Sequence, residues 1–454
     1  MVFSATPARI VNWLLLATVM FLFFRVEIYQ EKHKHVITFD VYEYYSYLPR
    51  TFIEKDPTFA HWDENPSQAW IHRTEGGTGV SLKMSVGMAL LYLPFFWVAH
   101  ALAPAFGYPA TGFGIPYEFG IFFSMWAWLG IGLYYLRRLL ERYFSAGVTA
   151  LTLILVVAGT NMDWYLFMRP GMTHPYTFAL SAAFLWHVIR YAEEPSGRRA
   201  VALGLLLGII SLIRPTNILL GLFLPLYGMQ HWRELPAQVG RWLAQPGHIV
   251  RLLGGIALVW LPQWLFWRAT TGQWLYYSYQ DEGFFFANPQ LWEGLFGYRN
   301  GWLLYTPVML LAIAGIAVLW WRWRAWFWPV LLFLPVFTYV ALSWWCWWYV
   351  GYGNRAFIDI YAVLAFPLAA LLTWAWEKRG RGAVMTGLAL LLLAHNVFQT
   401  LQAKNNMIHT SAMSKEAYWA GFLSLEKPKT YWKMLEFPDM KNAKQGIYTI
   451  KPKP

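Results

Sequence analysis

Apolar residues occur along this chain in long uninterrupted stretches, not in the alternating patterns of a soluble fold. Such stretches fit helices that cross about 30 Å of hydrocarbon. The pattern predicts an all-α polytopic membrane protein with about 11 transmembrane helices, within a range of about 10–13. The expected spans lie at about 10–29, 116–136, 145–164, 174–191, 200–213, 216–230, 250–268, 302–321, 326–343, 357–376 and 383–399.

One further apolar segment, 84–104, either crosses the membrane or lies in the interface as a juxtamembrane helix. The distribution of arginine and lysine favours the interfacial position. With eleven spans and a cytoplasmic N-terminus, the basic short loops all fall inside, as the positive-inside rule requires. If the segment crossed, every one of these loops would turn outward. The loops are 137–142, 198–199, 233–241, 322–324 and 378–381.

Composition strengthens this interpretation. The chain is 57% hydrophobic and 13% charged, whereas soluble domains carry roughly 25% charged residues. The net charge of +12 would point to nucleic acid in a soluble protein, but here it reports topology, and no nucleic-acid partner is expected. The single cysteine, Cys346, excludes a disulfide framework and a cysteine-based metal site. The stretch Ile10 to Phe24 is expected to be a retained span, not a cleaved signal peptide.

The predicted organisation is a transmembrane catalytic domain at 1–400 and a C-terminal outer-face tail at 401–454. The first domain includes the outer loop 30–83, which is too long and too rich in aromatic residues to be a simple connector. The tail holds nine lysines, which runs against an outer position. Only Lys404 and Lys415 stand close to the last span, where the positive-inside rule counts most.

Two carboxylates follow the first predicted span. Asp40 stands soon after the membrane exit and Glu43 comes three residues later, a spacing that places both on one face of a helix. Tyr44 and Tyr45 are part of a tyrosine-rich run beside them. The group predicts either a catalytic base in an aromatic, substrate-binding cleft or a solvated acid beside interfacial tyrosines.

Cations stand at the ends of several predicted spans. Lys83 follows a glycine-rich stretch, and it either holds a phosphate or extends its charged end to the membrane surface. Arg169 and His174 flank a span end, where a charge is costly unless it is paired or exposed. Arg214 lies between two apolar runs and needs either an anion or free backbone carbonyls as its partner.

A tryptophan-rich turn, SWWCWWYVGYGNRAFIDIY, carries the last group of candidates. Two glycines lead into Asn354 and Arg355, and Asp359 follows. Aromatic rings next to polar groups suit sugar stacking, and a guanidinium suits phosphate. We predict that Asn354 and Arg355 bind substrate, with Arg299 in FGYRNGWLLYTP as a lesser candidate. The alternative for the turn is an aromatic belt with one arginine reaching the interface.

Metal chemistry has little support in the sequence. His33 and His35 are spaced like metal ligands, but an HKH segment in a loop is more often solvated. Neither an HExxH motif nor a Ser-His-Asp spacing is present. We therefore assign no cofactor, and a divalent metal is possible without being indicated.

Several ordered pieces of residues 10–400 resemble the membrane-embedded glycosyltransferases of the GT-C fold, which include protein O-mannosyltransferases and lipid A aminoarabinose transferases. The chain departs from the mannosyltransferase signature, because Asp40 is followed by Val41 where two adjacent acids are usual. The sugar and the acceptor are therefore left open. The pieces are the acidic loop with Asp40, GTGVSLKMSVGMALLYLPFF, RRLLERYF, HPYTF, LIRPTN, GWLLYTPV and GYGNRAFID.

The resemblance implies inverting transfer of a sugar from a polyprenyl-phosphate carrier to an acceptor hydroxyl on a glycan, lipid or protein. By position, Asp40 matches the general base of the family, and Glu43 would orient Asp40 or the acceptor. Arg355 is the first choice for binding the donor and stabilising the leaving phosphate, with Arg169, Arg299, His174 and Lys83 as lesser candidates for the same role. The expected location is a bacterial inner membrane, with the site facing the periplasm or outside.

Three rival functions fit the same residues. A transporter or flippase of a lipid-linked sugar also needs a charged cavity, but it would place functional charges at mid-membrane depth and broken helices in matching halves. A scaffold subunit of an envelope complex would tolerate replacement of Asp40 and Arg355. A glycan ligase or polymerase would use the same site with a whole glycan as donor.

Overall fold

Helices follow one another with short connections through most of the protein. The computed structural model describes residues 7–25, 36–61, 71–73 and 79–451. Its α-helices are α1 (Pro7–Arg25), α2 (Asp40–Phe52), α3 (Gly87–Leu102), α4 (Ile115–Leu140), α5 (Ala146–Ala158), α6 (Met162–Phe167), α7 (Thr173–Glu193), α8 (Gly197–Ile213), α9 (Phe223–Leu226), α10 (Leu235–Leu243), α11 (Pro246–Thr271), α12 (Leu291–Phe296), α13 (Trp302–Tyr305), α14 (Val308–Arg322), α15 (Arg324–Leu342), α16 (Tyr361–Trp376), α17 (Arg379–Lys404), α18 (Lys415–Ala420), α19 (Tyr431–Met434) and α20 (Met440–Ala443). The 3₁₀ helices in these residues are Pro104–Phe106, Pro215–Leu222, Trp232–Glu234 and Arg355–Ile360, and β1 (Ile71–Arg73) pairs antiparallel with β2 (Val80–Leu82).

Five helices in the described part of the chain are long and apolar enough to cross a membrane. They are α4, α11, α15, the continuous segment Arg355–Trp376 and α17. The coarse prediction of an all-α membrane protein is therefore confirmed. Within the described residues, each of the eleven predicted segments contains helical structure, and five helices have the length and composition of a span. Segment 84–104 contains α3, which packs against α2, α4 and α8.

Four of the predicted spans are not single α-helices, and one of them, 357–376, begins in the 3₁₀ helix Arg355–Ile360 before α16. Segment 145–164 divides into α5 and α6, with Asn161 turned to bind the backbone of the tryptophan-rich turn at Tyr352 and Gly353. Segment 216–230 is a 3₁₀ helix followed by the short α9, because prolines at 215 and 225 disfavour a continuous α-helix. Segment 302–321 is interrupted before Pro307, where the preceding residue is pushed out of the helical region.

The centre of the bundle is α16, whose side chains are almost all buried and which packs against α5, α7, α14 and α17. Gly315 of α14 permits this approach, because a Cβ there would lie 1.9 Å from the Pro367 carbonyl oxygen. Gly204 of α8 has the same role against α11, where a Cβ would lie 2.1 Å from the Leu252 oxygen. Small residues allow such close backbone packing between membrane helices.

The ends of several helices meet on one side of the bundle, which we call the upper end. Here α7 begins, α8 ends and the Arg355–Ile360 3₁₀ helix leads into α16. Residues 405–451 fold over this end. Thr410 accepts hydrogen bonds through its carbonyl oxygen from Gly351 N at 3.0 Å and Asn300 Nδ2 at 2.7 Å. The tail is therefore packed onto the loops that carry the polar residues.

Candidate functional site

An ion pair between Asp40 and Arg355 lies at the upper end. Asp40 is the first residue of α2, and Arg355 is the first of the 3₁₀ helix before α16. Arg355 Nη2 donates to Asp40 Oδ2 at 3.2 Å, and the side chains are 21% and 24% exposed. A carboxylate with this exposure can be reached by a substrate while it keeps a cation beside it. The structure thus joins two predicted site residues that are far apart in the chain.

Tyr44 stands one turn after Asp40 on the same helix and is buried. Burial raises the pKa of its hydroxyl well above the ordinary value, and the charge of Asp40 raises the pKa further, while Arg355 and Arg214 oppose the shift. Tyr44 therefore remains a neutral hydroxyl among these charges. Tyr45, by contrast, points elsewhere and donates to the carbonyl oxygen of Gly112 at 2.5 Å.

Glu43 is fully buried behind Asp40. Its Oε2 accepts a hydrogen bond from Met84 N at 3.0 Å, and its Oε1 has no partner among the described residues. Burial raises the pKa of this carboxyl from 4.5 to about 8. Glu43 is therefore a neutral acid at pH 7. It holds the segment after β2 against α2.

Lys83 is neutralised by an ion pair. Its Nζ lies 2.6 Å from Glu282 Oε1 and 5.6 Å from the centroid of the Tyr279 ring. The other oxygen of Glu282 accepts from Trp345 Nε1 at 2.8 Å. Lys83 thus connects the segment after β2 with the loop after α11 and with the tryptophan-rich turn.

A second carboxylate, Asp359, forms a buried network below the first ion pair. Both side chains of the His174–Asp359 pair are 1% exposed. The partners of Asp359 come from α7, from the junction of α8 with the following 3₁₀ helix, and from that 3₁₀ helix. Its carboxylate oxygens lie near His174 Nδ1 at 2.9 Å, Thr177 Oγ1 at 2.7 Å, Asn217 Nδ2 at 2.9 Å and Arg214 Nη1 at 3.3 Å.

Arg214 belongs to both layers of this arrangement. Its guanidinium lies 5.5 Å from the centroid of the Tyr349 ring. Its charge also opposes the rise that burial causes in the pKa of the Tyr44 hydroxyl. The sequence interpretation left Arg214 with either an anion or backbone carbonyls as partner. The structure gives it an anionic partner, the Asp359 carboxylate. The polar motif LIRPTN between apolar runs was the signal for both Arg214 and Asn217.

Arg169 is an exposed cation in the turn between α6 and α7. In the described part of the chain, no carboxylate pairs with it. Burial raises the pKa of the Tyr165 hydroxyl. The charges of Arg355 and Arg169 lower this pKa, and the charge of Asp40 raises it. The Tyr165 hydroxyl accepts from Tyr352 N at 3.0 Å. Arg169 therefore stands near the Asp40–Arg355 pair with its guanidinium available to an anion.

Gly351 allows the tryptophan-rich turn to close on Tyr165. Its φ is 151°, and a Cβ at this position would lie 2.4 Å from the Tyr165 hydroxyl oxygen. Any side chain there would push the turn, and with it Arg355, away from α6. The double glycine noted in the sequence is therefore a requirement of the turn.

Two predicted substrate-binding residues have structural contacts instead. Asn354 is buried, and its Nδ2 donates to the Trp347 carbonyl oxygen at 3.0 Å. Arg299 donates through Nη2 to the Glu436 carbonyl oxygen at 2.9 Å, and its guanidinium lies 5.7 Å from the Trp348 ring centroid. Asn354 shapes the turn, and Arg299 anchors the tail to it.

Potential metal ligands do not cluster in the part of the chain that the structure describes. Among residues 7–25, 36–61, 71–73 and 79–451, no group of three His, Cys, Asp or Glu side chains is placed to hold an ion. His33 and His35 lie outside the described residues.

Fold and site together define a helical membrane protein with a layered cluster of carboxylates and arginines at one end of its helices. No protein-family model matches this chain, and a search of curated proteins also gives no match. The resemblance to GT-C glycosyltransferases therefore stays a resemblance, and the function is argued from the site.

Proposed function

We propose that the protein is an inverting glycosyltransferase that moves a sugar from a polyprenyl-phosphate carrier to an acceptor hydroxyl. The observation that carries the proposal is the partly exposed Asp40 carboxylate, held 3.2 Å from Arg355 with the unpaired Arg169 nearby. A base for the acceptor and cations for a phosphate stand side by side. This pairing is what glycosyl transfer from a phosphate donor requires.

In the proposed reaction, Asp40 takes the proton of the acceptor hydroxyl as that oxygen attacks the anomeric carbon. The bond from the anomeric carbon to the phosphate oxygen breaks, and its electron pair leaves with the polyprenyl phosphate. The configuration at the anomeric carbon is inverted. A positioned base contributes about 10²–10⁴-fold. Arg355 and Arg169 stabilise the charge that develops on the leaving phosphate.

The donor phosphate takes over Arg355 during binding. In the resting protein Arg355 neutralises Asp40, while Arg169 has no carboxylate partner in the described chain. When a phosphate arrives, Arg355 and Arg169 form a two-guanidinium clamp, the geometry that suits phosphate oxygens. Asp40 then loses part of its partner and becomes a stronger base for the acceptor.

We also propose eleven spans, with the upper end facing the non-cytoplasmic side of a bacterial inner membrane. The loops at the other end carry Arg137, Arg138, Arg198, Arg199, Arg322, Arg324, Arg379 and Arg381. Under the positive-inside rule these loops are cytoplasmic. The lipid-linked donor would then reach Asp40 from the outer leaflet.

The test is turnover of a panel of polyprenyl-phosphate sugars by the purified protein in lipid nanodiscs. Wild type should release polyprenyl phosphate, and Asp40→Asn should reduce the release at least about 10²-fold. The matched control is Glu54→Gln, because Glu54 is an acid just after α2 whose ion pair among the described residues is with Arg50 at 2.5 Å. The control should keep full activity.

Each other outcome has a defined meaning. Release that survives Asp40→Asn contradicts the role of Asp40 as base. Absence of release from every donor, together with movement of labelled lipid across the bilayer, would replace the transferase with the flippase. Release only from donors that carry a whole glycan would identify a ligase or polymerase.

A further inference from the structure

A basic cavity of about 480 Å³ lies at the lower end of the bundle, opposite the candidate site. It is formed by the start of α1, the end of α4, the turn after α4 and the second half of α7. Its volume is within the roughly 300–1,000 Å³ that ligand sites occupy. We call it the arginine pocket. It is lined by Arg9, Tyr134, Arg137, Arg138, Glu141, Arg142 and Trp186.

Two guanidinium groups converge on one ring in this pocket. Arg138 lies 4.6 Å and Arg142 lies 5.5 Å from the centroid of Trp186. Arg138 is also fixed by a hydrogen bond from its Nη1 to the Tyr134 hydroxyl oxygen at 2.9 Å. Like charges held this close repel each other unless an anion lies between them. The aromatic contacts keep both groups pointed at the same space.

The carboxylates at the pocket do not balance its cations. Arg137, itself buried, pairs with Glu141 at 2.5 Å, and Arg142 pairs with Glu193. Within the described residues, Arg9 and Arg138 have no carboxylate partner. The pocket therefore keeps an excess of positive charge beside the buried Arg137. The N–H groups of its arginines can donate hydrogen bonds to an anion.

The surroundings identify the class of anion. The pocket lies where helices that cross the membrane end, and tryptophan and tyrosine rings of this kind occupy the headgroup region. Basic pockets between membrane helices on the cytoplasmic side bind the headgroups of anionic lipids. A phosphodiester offers acceptor oxygens to the guanidinium groups while its acyl chains stay beside α1 and α4.

We propose that the arginine pocket binds the phosphodiester headgroup of an anionic membrane lipid. The phosphate is held between Arg138 and Arg142, and Trp186 forms the floor beneath both guanidinium groups. The site is independent of the Asp40–Arg355 pair, because it lies at the other end of the bundle. It would tie the helix ends of α1, α4 and α7 together through the lipid.

The test is native mass spectrometry of the full-length protein with an equimolar mixture of dioleoyl-phosphatidylglycerol and dioleoyl-phosphatidylcholine. Wild type should favour the phosphatidylglycerol adduct, and Arg138→Gln should lower that preference about five-fold, the factor that one basic side chain contributes near an anionic headgroup. Tyr134→Phe should lower it by a smaller factor, since it removes only the hydroxyl that orients Arg138.

The matched control is Arg241→Gln. Arg241 is exposed on α10, next to Trp242, which stacks on Tyr191 near the end of α7. The control should keep the wild-type lipid preference. An equal loss in Arg241→Gln would mean diffuse attraction and would overturn the pocket. A preference unchanged in both Arg138→Gln and Tyr134→Phe would also overturn it.

Inorganic phosphate separates the two possible sources of the anion. Added at millimolar concentration, phosphate should leave the phosphatidylglycerol adduct largely in place, because the acyl chains contribute to lipid binding. If phosphate removes the lipid, and binds the lipid-free protein with the same dependence on Arg138, the pocket is a site for a free anion and the lipid proposal is wrong.

Discussion

Two aspartates at the same end of the bundle both pair with arginine, but their surroundings differ. Asp359 is 1% exposed, and its carboxylate meets side chains from α7, from the end of α8 and from the following 3₁₀ helix. Asp40 is 24% exposed and has the one ion pair with Arg355 in the described chain. The Asp359 carboxylate is thus enclosed and the Asp40 carboxylate is partly open, although their arginine partners are similarly exposed, at 19% and 21%.

The difference suits the structural role of Asp359 and the reactive role that we propose for Asp40. A buried charge with every lone pair satisfied is fixed, and removing its partners costs much more than the pair contributes. A partly exposed pair contributes little to stability, so it can exchange partners when a substrate arrives. Asp359 holds the ends of α7, α8 and α16 together, and Asp40 stands partly exposed above them, where the proposed reaction needs its base.

The largest effect should come from Asp359→Asn. The substitution leaves the Arg214 charge without its carboxylate, so the free energy of unfolding should fall by about 3–5 kcal/mol. Asp40→Asn should lower it by less than about 1 kcal/mol. Chemical unfolding of both variants in the same detergent, followed by tryptophan fluorescence, measures the two losses. Equal losses would break the distinction between the two aspartates.

Arg355→Gln should lower kcat/KM about 10²-fold, because a preorganised donor to the developing phosphate charge is lost. Arg355→Lys should lose less, since the charge stays but the two-pronged geometry goes. Steady-state turnover of the donor identified above gives both values. The control is Arg50→Gln, which removes the ion pair with Glu54 and the contact with the Phe59 ring at 5.6 Å. Full activity in Arg355→Gln would exclude Arg355 from the reaction.

Glu43 should make stability depend on pH. Its pKa is raised by burial from 4.5 to about 8 in the folded protein, so its contribution is fully present below pH 4.5 and is lost as pH rises to about 8. Within that window the free energy of unfolding should fall by at most roughly 1.4 kcal/mol per pH unit. Glu43→Gln should flatten this slope. Parallel curves for wild type and variant, measured by denaturant unfolding from pH 5 to pH 8, would contradict the buried neutral acid.

The smallest effect is expected for Lys444→Gln. Lys444 Nζ pairs with Asp281 Oδ1 at 2.8 Å, but Asp281 is 66% exposed. Water and salt screen such a pair, so the stability should change by at most about 0.5 kcal/mol and turnover should stay unchanged. Unfolding measured at low and high salt checks this, because the free energy of unfolding should depend less on salt in the variant than in wild type. A loss above about 1 kcal/mol would show that the pair clamps the tail.

The helices were predictable because apolar runs of membrane length leave few alternatives for the backbone. The helix α2, which carries both Asp40 and Glu43, and the helix α3 within 84–104 both follow the sequence interpretation. The broken spans were not predicted, because the apolar runs hide interruptions at prolines. Near residue 160, the interruption depends on Asn161 bonding to a turn far away in the chain.

The site was only partly predictable for a related reason. The residue types at Asp40, Lys83, His174 and Arg355 marked them as candidates, but the partner of each lies on another element. Consecutive residues of a helix point about 100° apart, which is why Tyr44 faces the charges while Tyr45 bonds to Gly112. Side-chain direction of this kind depends on the packing of α2.

The docking of residues 405–451 bears on how the protein is made. A ribosome delivers these residues after α17, yet Thr410 and Glu436 hold the turn and Arg299 in place. A nascent chain would therefore have α1 to α17 before it had an ordered site. Translation of residues 405–451 would complete the site, and an affinity tag inserted close to Glu436 would disturb it.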